Sequence, residues 1–106
     1  MTTIDICKTL GNDYRYQILL WLKDPAAHFG DAHLKCAETG FVGGICVGLI
    51  AEKSGLAQSV ASNYLASLKA AGLAESRRIG KWTYYRYHKA GVERFLASLQ
   101  SELGEN

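Results

Sequence analysis

The polar chemistry of this 106-residue sequence gathers in three places: three cysteines, a stretch bearing two histidines, and a run of amides, hydroxyls and cations between positions 58 and 81. Cys7, Cys36 and Cys46 cannot all pair within one chain, and no C-x-x-C occurs, so reduced thiols in a cytoplasmic protein are expected rather than a disulfide framework. His28, Asp31, His33, Cys36 and Glu38 are all of zinc-ligand type, His28, His33 and Cys36 foremost. Their spacing matches no established zinc pattern, and a glycine-rich stretch exposes such residues anyway. Cys36 with His33 is the sole pairing of nucleophile and base. A separation of three puts them on one face only in a helix, which the nearby glycines oppose. With no G-x-S-x-G, phosphate loop or H-E-x-x-H, the sequence does not describe an enzyme.

Charge is more informative. Six of the twelve Lys and Arg (Arg77, Arg78, Lys81, Arg86, Lys89, Arg94) fall between Leu73 and Arg94 beside two acids, Glu75 and Glu93, while the whole chain carries only +2. A local basic stripe on a near-neutral protein is either the footprint of a polyanion partner or a solvated strand face.

Periodicity defines the elements that hold these residues. The length fits one domain over 1–106, small enough that pairing of subunits would help it bury apolar surface. No apolar run reaches the ~18–20 residues that span a bilayer, and no leader begins the chain, so neither membrane insertion nor secretion is expected. Ile4 to Leu10 reads as a short helix broken at Gly11. Asn12 or Asp13 then caps a helix to Lys23, ended by Asp24-Pro25. Residues 25–44, punctuated by Gly30, Gly40, Gly43 and Gly44, read as a long loop with a short hairpin. Helix returns over 45–53, turns at Ser54-Gly55-Leu56, and continues from Ala57 to Ala71, where Gly72 closes it. The period then changes to two: Leu73–Arg78 and Trp82–His88 are strands about a Gly80 turn, with Trp82, Tyr84, Tyr85 and Tyr87 packing the sheet on the helices. A last helix, Gly91 to Leu103, carries Val92, Phe95, Leu96, Leu99 and Leu103 on one stripe. The fold class is mainly α with a β-hairpin wing: a helix-turn-helix over 45–71, a wing over 73–88, and a terminal helix over 91–103.

Within the second helix of the helix-turn-helix, Ala61, Leu65 and Leu68 face inward, while Gln58, Ser59, Ser62, Asn63 and Lys69 form the opposite face. A face free of carboxylates and rich in amides and hydroxyls suits the major groove of DNA, although a plain solvated surface has the same composition. Arg77, Arg78 and Lys81 at the hairpin tip would grip phosphates or enter the minor groove. A helix-turn-helix used for protein contact is the alternative, but it should expose apolar anchors, which this face lacks; Tyr64 alone suits either use.

Several segments together resemble the ArsR–SmtB family of winged-helix repressors. Ala57-Gln58-Ser59-Val60-Ala61-Ser62-Asn63-Tyr64-Leu65 is similar to that family's Ser-Gln-x-x-Val-Ser-x-His-Leu recognition helix, with Ala57 in place of the leading Ser and Tyr64 in place of His. Ala71-Gly72-Leu73, Arg77-Arg78-Ile79-Gly80-Lys81 and the Tyr-rich strand resemble its wing, and Leu10 through Ile18-Leu19 resembles its opening segment; 25–44 is a poor match. The resemblance implies a cytoplasmic homodimer bound to double-stranded DNA at an imperfect palindrome and released by a signal. Dimerisation elements at both termini would pair through Ile4, Ile6, Leu10, Val92, Phe95, Leu96, Leu99 and Leu103. It also implies where an effector would act, since no cofactor is otherwise called for. The family's last-helix metal site is missing here, because Gly91–Leu103 holds no His or Asp. Its Leu-Cys-Val-Cys soft-metal and arsenite motif corresponds to Ile45-Cys46-Val47-Gly48, which keeps one thiol, so that Cys7 and Cys36 would have to supply the others. Three readings of Cys46 stand side by side: a buried small side chain, a redox thiol that pairs with Cys7 or Cys36, or a soft-metal or arsenite ligand. A repressor without any sensing function fits the first.

Overall fold

The structure, a computed structural model, describes residues 1–105. Helix α1 (Thr3–Leu10) begins with Thr2 and Asp5 capping each other's backbone N–H groups. Helix α2 (Asp13–Lys23) is capped by Asn12, whose side-chain oxygen accepts from the Arg15 N–H at 3.0 Å, and it stops before Pro25. Pro25 is well suited to open a helix, and it does: α3 (Pro25–Phe29) follows, then 3₁₀ turns at Gly30–Leu34 and Ala37–Thr39. Residues 25–39 are therefore largely folded into helical turns, and 40–44 form a turn leading into the sheet, without the hairpin expected there. The glycines end these turns rather than opening a strand; Gly30 and Gly40 both have positive φ.

A second difference comes at position 45, where a helix was expected. Ile45–Cys46 form strand β1 before helix α4 (Val47–Ser54) starts. Strand β1 pairs antiparallel with β3 (Trp82–Tyr87), Ile45 opposite Tyr85 and Cys46 opposite Tyr84. Strand β2 (Ala74–Ile79) pairs with the other edge of β3, and the order β1-β3-β2 makes the wing a three-stranded sheet rather than a bare hairpin. A run of two apolar residues gives no period to distinguish strand from helix, so only its distant partner decides.

Helix α5 (Gln58–Ala70) follows the turn at Gly55, which adopts φ 71°, and Gly72 closes it at φ 78°. Ile18, Leu22, Ile45, Ile50, Leu65, Leu68 and Leu73 are fully buried, so the core lies where α2, α4 and α5 meet the base of the sheet. Helix α6 (Lys89–Leu103) starts two residues earlier than the Gly91 expected from the sequence. Gly91 is where it crosses the end of α5: a Cβ there would overlap the Gly72 carbonyl oxygen. Two expectations for side chains change. Phe95, placed at a subunit interface by its stripe, is only 7% exposed and belongs to the core. Trp82, expected to pack on the helices, is 54% exposed on the wing.

Candidate nucleic-acid interface

Helix α5 is held from one side. Ala61, Leu65 and Leu68 bury that side, and Gln58, Ser59, Ser62, Asn63 and Lys69 are all exposed on the other. No acidic residue occurs anywhere on α5. Ser67 is turned back on its own helix, donating to the Asn63 backbone carbonyl at 3.1 Å, and Asn63 itself is exposed. The amino-terminal half of α5 and strand β3 enclose a cleft of about 310 Å³, lined by Gly48, Gln58, Ser62, Lys81, Trp82 and Thr83. The amide and hydroxyl of α5 thus share one opening with a wing cation and the exposed indole. Lys81 Nζ lies 5.5 Å from the Trp82 ring centroid, and Arg78 donates to the Gly80 carbonyl at 3.3 Å while remaining exposed.

Two residues expected on this surface are engaged within the chain. The Tyr64 ring stacks on Tyr14 at 6.1 Å between centroids, with the Arg15 guanidinium 5.3 Å from it. Arg77 points away from the wing tip: it donates to the Thr39 carbonyl at 2.6 Å and lies 5.0 Å from the Phe41 ring. Arg86, 4.3 Å from the same ring and paired with Glu75 at 2.7 Å, completes a cation–ring–cation clamp. Half of the basic stripe's central cations therefore tie 25–44 to the sheet. Phe41 was not singled out from the sequence, and Arg86 was read only as part of the basic stripe, because nothing in local spacing links positions 41, 77 and 86; Thr83 escaped for the same reason.

The thiols divide unevenly. Cys36 is buried, whereas Cys7 and Cys46 are half-buried, and all three are free. Burial pushes the Cys36 thiol above its ordinary range, and the nearby Cys46 adds to this, while Arg77 and Lys35 pull the other way. Cys36, just before the second 3₁₀ turn, and Cys46, in β1, are thus within electrostatic reach of each other. Among the described residues no three His, Cys, Asp or Glu side chains gather to hold a metal ion, so Cys7 does not complete a trio with them, nor do His28 and His33 with Cys36. His33 instead bonds the Gly30 carbonyl through Nδ1 at 2.6 Å, and His28 is exposed.

At the termini, α1 and α6 lie side by side, and the Thr3 hydroxyl donates to Glu102. Ile4, Leu96 and Leu103 are 60%, 55% and 80% exposed on this pair of helices, with Ile6, Leu10, Val92 and Leu99 half-buried beside them. None of the described helices is long and apolar enough to cross a membrane.

No protein-family model matches the chain. It is 39% identical over 103 residues to the HTH-type transcriptional regulator YbzH of Bacillus subtilis, covering 97% of this chain and all of that one. The chain belongs to the winged helix-turn-helix transcriptional regulators. Among solved structures, this regulator is similar to a Mycobacterium bovis domain described as a homodimeric winged helix-turn-helix DNA-binding domain and a possible ArsR-family regulator, with 31% identity, 92% and 74% of the two chains covered, and a TM-score of 0.60. It is also similar to NolR of Sinorhizobium fredii, with 26% identity, 97% and 85% coverage, and a TM-score of 0.61.

Proposed function

We propose that this regulator is a cytoplasmic homodimeric repressor of the ArsR–SmtB kind that occupies an imperfect palindromic operator in double-stranded DNA. The observation that carries the reading is the acid-free polar face of α5, exposed and sharing its cleft with Lys81, Trp82 and Thr83 of the wing. Gln58, Ser59, Ser62 and Asn63 would read base edges, and Lys69, Arg78 and Lys81 would hold flanking phosphates. The homodimeric state of the M. bovis neighbour and the exposed Ile4, Leu96 and Leu103 support pairing through α1 and α6. Two copies of α5 related by a twofold axis call for half-sites related in the same way.

Release by thiol oxidation fits the arrangement better than release by arsenite. Cys36 and Cys46 lie within electrostatic reach of each other, whereas among the described residues no third ligand gathers with them. With hydrogen peroxide as oxidant, one thiolate attacks oxygen, breaking the O–O bond to give a sulfenic acid and a hydroxide that takes a proton from solvent; the second thiol then attacks the sulfenic sulfur, releasing water and closing the disulfide. A Cys36–Cys46 bond would tether the 3₁₀ turns to β1, directly beside the wing.

Selection of bound duplexes from a random pool tests the operator reading. Enrichment of an imperfect palindrome with half-sites about 10 base pairs apart, or a multiple of that, is expected; binding without sequence preference overturns it. Repeating the binding with peroxide and with arsenite separates the signals, and unchanged affinity in both assigns the cysteines no sensing role.

A further inference from the structure

A cavity of about 270 Å³ lies where three parts of the chain meet: Ala32 and Lys35 from 25–44, Cys46 and Leu49 from β1 and α4, and Trp82 and Tyr84 from β3. We propose that this cavity binds a small planar aromatic anion, and that its occupancy is communicated through Trp82 to the DNA-facing cleft. Its walls are two aromatic rings, Ala32, Leu49 and a thiol, surfaces that favour a flat apolar body. One charge stands among them, that of Lys35, which forms no ion pair among the described residues, and no carboxylate lines the cavity. An ammonium beside an apolar slot selects a ligand with an apolar body and one anionic group. The volume is at the small end for ligand sites and admits one or two fused rings.

Trp82 is the link. The same indole lines both this cavity and the cleft that holds Gln58, Ser62, Lys81 and Thr83. A ring seated against it from one side therefore changes what the other side presents. Communication to DNA rests on the operator-binding reading above; occupancy of the cavity does not.

The test uses the intact, reduced protein with 2-naphthoate as probe and the neutral 2-naphthylmethanol as its control. Cys46 serves as a site reporter, since its alkylation by iodoacetamide is readable by mass spectrometry beside that of Cys7. Saturating 2-naphthoate is expected to slow alkylation of Cys46 about fivefold or more, leave Cys7 unchanged, and quench tryptophan fluorescence in the Trp21→Phe variant. Lys35→Met, at an exposed position, is expected to weaken 2-naphthoate about tenfold with little effect on the neutral control. Ala32→Trp, which fills the cavity, should abolish both. Unprotected Cys46 at millimolar probe, or equal affinity of wild type and Lys35→Met for 2-naphthoate, overturns the site. Protection of Cys46 without any change in DNA affinity overturns the coupling through Trp82. A protein that protects Cys46 yet binds no DNA overturns the operator reading and leaves the cavity standing.

Discussion

The exposed side chains of α5 and the wing divide into two sorts by chemistry, and the division is measurable. Gln58 and Asn63 carry amides that can make paired hydrogen bonds to one base; Gln58→Ala or Asn63→Ala should relax preference at one operator position by about 1–3 kcal/mol, read from a panel of mutated duplexes. If Arg78 and Lys81 hold phosphates as proposed above, Arg78→Ala or Lys81→Ala should weaken binding to every sequence and reduce the slope of log affinity against log salt by about one. Arg77→Ala should leave that slope unchanged, because its guanidinium is committed to the Thr39 carbonyl and the Phe41 ring. Titration offers another check. Burial holds the Cys36 thiol and the Tyr85 phenol above their ordinary values, so the unfolded chain ionises them first. The stability this involves is fully present below the unfolded values and is lost as pH rises through the folded ones. The urea midpoint should therefore fall on going from about pH 8 to about pH 10.5, and Cys36→Ser should flatten part of that fall.

Among the elements, the segment 25–44 changes most between expectation and structure. Its four glycines and weak periodicity read as a loop, yet Pro25 opens a helix, and Phe41, buried between Arg77 and Arg86, fastens the end of the segment to the sheet. Phe41→Ala or Arg77→Ala should therefore raise amide exchange across 35–44 by a large factor while α5 keeps its protection, a contrast that hydrogen-exchange mass spectrometry resolves. The helix-turn-helix was legible because its information is local: Gly55 and Gly72 stand at the ends of its helices, and Ala61, Leu65 and Leu68 repeat at helical spacing. The acid-free face of α5 could be read in the same way. Strand β1 and the cation–ring clamp were not legible, because each joins residues some forty positions apart through pairing that leaves no period in either partner. Tyr64 shows the limit for single residues: its position in the recognition-helix motif marks a groove-facing side chain, while its ring is stacked on Tyr14. The junction of α5 and α6 is a second local test. Gly91→Ala forces a methyl into the Gly72 carbonyl and should cost about 2 kcal/mol or more in chemical denaturation.

Assembly follows from what the folded chain leaves uncovered. Ile4, Leu96 and Leu103 stand out on adjacent helices while Phe95 on the same stripe is already buried, so the stripe is shared between one chain's core and a surface free to meet another copy. Sedimentation should give a dimer at micromolar concentration for the wild type and a monomer for Leu96→Glu with Ile4→Glu, the monomer retaining helical content but losing DNA affinity by orders of magnitude. The order of the sheet has a consequence of its own. Strands β1 and β2 both pair only with β3, which comes after them in the chain. A polypeptide emerging from the ribosome therefore has no partner for either outer strand until Tyr87 is clear of the exit tunnel. Products of premature termination before that point would lack any ribbon beside α5, and on the operator reading proposed above they could not compete with complete molecules for DNA.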